Sequence, residues 1–159
     1  MDDLQRLIAI EDIRRLKARY IRCMDTRDWD GMLEIWMPDG VLDLRLGGSK
    51  DEEAAALNPD RFSEEGLVHG SEAIVEFMSS IACEGFQSAH FGHMPEIDIL
   101  SESEATAIWS LEDFCWWDGG RPYRTLHGFG HWHDRYVKSD GVWKISRVHI
   151  SRIRVNTTS

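Results

Sequence analysis

Residues 105–117 read ATAIWSLEDFCWW, a run without glycine or proline that fits a two-residue period. Successive residues of an extended chain point to opposite faces. Ala107, Trp109, Leu111, Asp113 and Cys115 therefore share one face, and Ile108, Ser110, Glu112, Phe114 and Trp116 the other. The period leaves open which face is inside. Asp113 is either a pocket carboxylate in an apolar row or a surface group on an edge strand. Inside, burial would raise its pKa unless a cation or donor compensated.

The same period recurs on both sides of this run. Phe86–Leu100, Arg124–Lys138 and Val142–Val155 are strand-like, and the four segments are separated by Ser101-Glu102-Ser103-Glu104, Asp118-Gly119-Gly120 and Asp140-Gly141, all turn signals. Strands of this length bend, and Gly92, Gly128 and Gly130 are the expected bulge or kink positions.

Upstream the period changes to that of a helix. Leu4, Leu7, Ile8, Ile13, Leu16, Tyr20, Ile21 and Met24 recur at spacings of three and four, with Arg14, Arg15, Lys17 and Arg19 assigned to the opposite, polar face. This helix is expected to end near Met24. Asp28 caps a second one, Trp29 to Trp36, which Pro38-Asp39-Gly40 terminates. Val41–Leu46 begins a strand, residues 47–66 read as a long acidic loop with one helical turn at 52–57, and Ser71 is the expected N-cap of a third helix to Ala82. Helices first and antiparallel strands after predict a single α+β domain over 1–159, its short helices closing one end of a strongly curved sheet around an apolar pocket.

Composition narrows the partners. The charge of −10 disfavours phosphate backbones and anionic membrane faces, so neither nucleic acid nor membrane is expected. Three cysteines, Cys23, Cys83 and Cys115, are an odd number without a CxxC pair. The first residues are charged and amphipathic rather than a secretory apolar run, which together predicts a cytoplasmic protein. Seven tryptophans are many, and suggest aromatic walls as well as core.

In SAHFGHM, residues 88–94, the two histidines point opposite ways, so at most one of His90 and His93 serves a pocket. His131 and His133 have the spacing of a strand-borne metal clip, with His127 on the same face, but no third ligand of the right kind is near, and no metal is expected. No phosphate-binding glycine loop, nucleophile elbow or HExxH is present. Tyr20, Asp25, His90, Asp113 and Arg152 are residue types suited to proton transfer, though composition and period do not single them out.

A resemblance does. IEDIRRLKARYIRCMDTRDWDGMLEIW (10–36), HFGHMPEI, WSLED and the closing GVWKI with Arg152 after it resemble SnoaL-like proteins of the nuclear-transport-factor-2-like superfamily. That group includes scytalone dehydratases, hexachlorocyclohexane dehydrochlorinases and bile acid 7α-dehydratases, and the chain most resembles the last. The resemblance implies a cone-shaped α+β barrel with a deep pocket. Tyr20 and Asp25 would stand at the end of the first helix, His90 on the facing strand, Asp113 deeper on the next and Arg152 on the last. It implies a cofactor-independent lyase removing water from a hydroxylated, carbonyl-activated ring substrate such as a steroid. Asp25 would orient His90, which moves the proton, and Asp113 with Arg152 would position substrate. Trp29, Trp36, Trp109 and Trp132 would supply apolar walls. A homotrimer packed through the outer sheet face is implied as well. The alternatives are a ketosteroid-isomerase-like proton shuttle and a non-catalytic binding module or oxygenase small subunit on the same fold.

Overall fold

Helix α1 runs from Asp3 to Thr26, opened by an Asp2 capping box and closed at Arg27 in the left-handed conformation. The computed structural model describes residues 1–45, 66–82, 84–119 and 124–158. Helix α2 (Trp29–Ile35) comes immediately after, with the Asp28 side chain accepting from the Gly31 amide at 2.9 Å. Strand β1 (Trp36–Asp43), the short β2 (Leu67–His69), helix α3 (Ser71–Ile81) and four long strands complete the chain: β3 (Phe86–Ile99), β4 (Glu104–Trp117), β5 (Thr125–Ser139) and β6 (Val142–Thr158). The described strands form one curved, unclosed sheet in the order β2-β1-β6-β5-β4-β3. It is antiparallel except where β1 lies parallel to β6.

Several local expectations need correction. Pro38-Asp39-Gly40 does not precede the strand but lies within it. Between Trp36 and Val41 the register with β6 slips, so the turn residues are accommodated as a bulge. Gly70, at φ 88°, rather than Ser71, is the N-cap of α3, and no side chain caps this helix. The stretch read as an acidic loop lies outside the described residues apart from Gly66.

The α1 face is also shifted. Leu4 and Leu7 are 67% and 64% exposed, and the buried face of α1 begins only at Ala9. Lys17, assigned to the polar face, is fully buried. It stands three and four residues from Tyr20 and Ile13, so the spacing that marks the core face includes it. Its ammonium donates to Asp134 Oδ2 on β5 at 2.8 Å and lies 4.0 Å and 4.5 Å from the ring centroids of Trp132 and Tyr20. Tyr136 Oη donates to the same carboxylate oxygen at 2.6 Å, and Trp109 Nε1 donates to Tyr136 Oη.

The odd-numbered face of β4 is the inner one: Ala105, Ala107, Trp109, Leu111, Asp113, Cys115 and Trp117 are all buried. The core divides into a main cluster under α1 and a small one of Phe86, Cys115 and Trp117, and a pocket opens between them.

Breaking the buried pair tests its importance. Lys17→Met removes the cation from the buried Asp134 carboxyl, a loss of about 3–5 kcal/mol for a pair of this burial. Urea unfolding of wild type and variant, monitored by tryptophan fluorescence, gives the number.

Candidate active site

The pocket is apolar along its walls and polar on one side. Met78, Phe86, Leu111, Trp117, Leu126 and Ile150 represent the walls. Tyr20, His90, Asp113 and Arg152 supply the polar groups.

Asp25 ends α1 and reaches across to β3, where its carboxylate accepts three hydrogen bonds. They come from Ser88 Oγ at 2.8 Å, the His90 amide at 2.9 Å and His90 Nδ1 at 2.6 Å. Burial works against the Asp25 charge, but the bonds from His90 and Ser88 outweigh it and hold the carboxyl below its ordinary range. A charged carboxylate only accepts, so the hydrogen of this bond is on Nδ1 of His90. Asp25 thus fixes the orientation of the ring and leaves Nε2 as the nitrogen it does not touch.

His90 and Asp113 are direct cross-strand partners, and Asp113 faces Gly128 on β5. Gly128 matters for the side chain it lacks. A Cβ there would collide with Asp113 Oδ1 and the Arg152 guanidinium, so the glycine opens the slot through which Arg152 reaches the carboxylate. Beside it the β5–β6 register slips between Phe129 and Gly130, where β6 brings Arg152 onto the inner face. Arg152 then grips Asp113 with two bonds of 2.7 Å each. Desolvation alone would raise the Asp113 pKa, but the guanidinium overcomes it and holds the carboxyl below its ordinary value. Asp113 is a charged half of a pair.

Tyr20 is 4% exposed and packs edge-on against Trp36 and Trp132. Burial, with Asp134 adding to it, pushes its phenol up, so the group is a proton donor. Cys115 also lines the pocket as a protonated thiol, pushed up to about 12 by burial and then by Asp113. Donor atoms of His90, Asp113 and Cys115 lie within 4.8 Å of one another, a metal-compatible spacing. Both Asp113 oxygens already bind Arg152, however, and a cation would have to displace it.

The structure brings together all five residues expected of a catalytic set, four on the pocket wall and Asp25 behind His90. The tryptophans divide differently. Trp132 lines the pocket, whereas Trp36 is buried core, Trp109 is held by Tyr136 and faces a separate groove beside α1, and Trp29 packs on the core surface. The aromatic wall that sequence reasoning missed is Trp117, whose signal is its place two residues beyond Cys115 on the Asp113 face. His93 points outward toward Glu112, opposite to His90.

Acid should weaken the fold through these carboxylates. Asp25 and Asp113 have folded pKa values below the unfolded value near 3.9, so the unfolded chain binds more protons in that window. Their stabilisation is complete above about pH 5 and is lost as pH falls through the folded values, at up to about 1.4 kcal/mol per pH unit for each group. Denaturant titrations between pH 2 and 7 should show this slope, and Asp25→Asn should flatten it by one carboxylate's share.

Comparison with known proteins agrees with this architecture. A hexachlorocyclohexane dehydrochlorinase (LinA, type 2) superposes with a TM-score of 0.78 at 16% identity, covering 99% of this chain and 94% of that one. A protein from Novosphingobium aromaticivorans assigned as a scytalone dehydratase gives 0.77 at 18% identity, covering 98% and 91%. A Mycobacterium tuberculosis protein of unknown function gives 0.72 at 20%, covering 97% and 78%. These likenesses establish a shared fold. The SnoaL-like domain model matches residues 5–149, nearly the whole sequence, and the chain belongs to the SnoaL-like family.

Proposed function

We propose that the protein is a cofactor-independent lyase that eliminates water from a hydroxylated, carbonyl-activated ring compound. The observation that carries this reading is the Asp25–His90 dyad on the wall of an apolar pocket, with the Tyr20 hydroxyl and the Arg152–Asp113 pair on the same wall.

His90 Nε2 takes the proton from a carbon made acidic by an adjacent carbonyl or enone, and Asp25 stabilises the imidazolium that forms. The electrons released at carbon form the new double bond as the C–O bond to the leaving hydroxyl breaks. The hydroxyl departs as water, protonated by imidazolium or by Tyr20, which an imidazolium can then reprotonate. Arg152, held rigid by both Asp113 oxygens, sets its positive charge beside a substrate oxygen. The isomerase alternative needs a free carboxylate base. Asp113, with both oxygens on Arg152, does not offer one.

The pocket, about 210 Å³, is small for a tetracyclic ligand, so a two-ring substrate belongs in the first test beside the steroid. Incubation with a 7-hydroxy-3-oxo-4-ene steroid, or its bicyclic analogue, should extend the enone to a dienone and move its ultraviolet absorbance to longer wavelength. His90→Ala should reduce the rate at least 10²-fold, as expected for loss of a general base. Activity surviving in His90→Ala would favour the isomerase-like reading, and binding without turnover the non-catalytic one.

The same reading includes a homotrimer in the cytoplasm. Its support is the outer sheet face, where Phe91 and Trp116 are 47% and 40% exposed and Phe114 stacks on both His127 and Trp116. An uncovered aromatic patch of this kind marks an interaction surface. No helix among the described residues is long and apolar enough to cross a membrane. Light scattering on a sizing column should give three times the chain mass, 18.3 kDa, and Trp116→Glu with Phe91→Glu should shift the population to monomer.

A further inference from the structure

The inner faces of β3 and β4 order their side chains by size along the pocket. Register pairs His90 with Asp113, then Ser88 with Cys115, then Phe86 with Trp117, as successive rows on one face. The first row is polar and carries the proposed chemistry. The second is small on both strands, a thiol at Cys115 and a hydroxyl at Ser88 that Asp25 takes up at 2.8 Å. The third is bulky. Phe86 and Trp117 stand with ring centroids 5.2 Å apart and are 2% and 7% exposed. Apart from Ser88, every one of these side chains lines the pocket.

In the opposite direction from the polar row the space is closed. Leu111 comes next on β4, and beyond it Trp132 is 1% exposed with Tyr20 edge-on against it. A ring held by His90 and Arg152 therefore extends over Cys115 toward Trp117. At about 3.3 Å per residue, the third row lies about 13 Å beyond the first. The Arg152-bound carboxylate at one end and the indole at the other take up part of that length. What remains suits two fused rings rather than four, in keeping with a cavity of about 210 Å³. The end row is also fixed. The Trp117 amide donates to the Arg124 carbonyl at 2.9 Å and the Asp118 amide to the Gly85 carbonyl at 3.2 Å, so the backbone is tied on both sides. Ile81 and Ala82, at the C-terminal end of α3, pack against the rings. A close-packed wall of this kind yields little to a ligand that is too long.

We propose that Trp117, backed by Phe86, sets the length of substrate that the pocket accepts, admitting a two-ring skeleton and rejecting a four-ring one. The inference rests on the lyase reading for where the carbonyl-bearing ring sits, and on the row geometry for where the skeleton must stop. Trp117 is a specificity residue in this scheme and takes no part in proton transfer.

Equilibrium dialysis with two ligands that have no hydroxyl to lose tests the proposal. One is a 3-oxo-4-ene steroid without the 7-hydroxyl, the other the bicyclic enone that reproduces its first two rings. The wild type should bind the bicyclic enone at least tenfold more tightly than the steroid. Trp117→Ala should reverse that order, gaining steroid affinity at least tenfold and losing bicyclic affinity along with the wall. Trp117→Leu, a milder change to the core, should move the ratio the same way by less, and thermal unfolding checks that each variant is folded. Wild type that binds the steroid as tightly as the bicyclic enone, or a ratio unchanged in a folded Trp117 variant, overturns the proposal. Failure of the lyase reading alone looks different: the length preference persists in binding, while the 7-hydroxy forms of both ligands are not turned over. If neither ligand binds any of the proteins, the ring-ketone reading of the pocket fails and this inference with it.

Discussion

The Asp25 carboxylate accepts hydrogen bonds from a side chain, an amide and an imidazole of β3, and the rest of the pocket depends on where that contact holds the helix. Lys17, about two helical turns earlier, is held to Asp134 on β5. Two ionic contacts on one helix, made to two different strands, set both its position along the sheet and its rotation. Tyr20 lies between them, its ring under the Lys17 ammonium, so the same contacts place its hydroxyl. A single apolar stripe would have allowed the helix to slide or roll by a fraction of a turn.

Electrostatic balance inside the pocket comes from pairing. Asp25 answers the charge that His90 would acquire, and Asp113 answers that of Arg152. Around the pocket, both oxygens of Asp25 and both of Asp113 therefore have hydrogen-bond partners. This arrangement depends on Gly128, where a missing side chain rather than a present one admits the guanidinium.

Much of this is legible in the sequence, and the failures have physical reasons. Period two identifies the four long strands and correctly puts His90 and His93 on opposite faces. It cannot say which face of β4 is inner, because Trp109 and Trp116 are equally apolar on opposite sides and only the packing of α1 distinguishes them. The Asp113–Arg152 pair joins residues from two strands that are not neighbours in the sheet, so no local spacing reports it. Gly128 is recognisable as special, but as a kink rather than a space. Lys17 defeats the reading because its charge argues for solvent, although its spacing from Ile13 and Tyr20 places it in the core. The tryptophans divide in the opposite sense: Trp36 and Trp109 pack in the core, while Trp117 joins Trp132 on the pocket wall. Pro38-Asp39-Gly40 ends strands by its local chemistry, yet β6 tolerates it by skipping register.

The parallel neighbour of β1 has a consequence for how the molecule is made. Trp36 and Asp43 pair with Ile145 and His149, more than a hundred positions later in the chain. During synthesis the helices and β1 therefore emerge long before the strand that will hold β1 in place, and β5, which must receive Lys17, is also late. Contacts so distant in sequence slow folding, so the nascent amino-terminal third must wait with its apolar surface unsheltered. The order of translation runs against the order in which this sheet can be closed, and residues 142–158 act as its keystone.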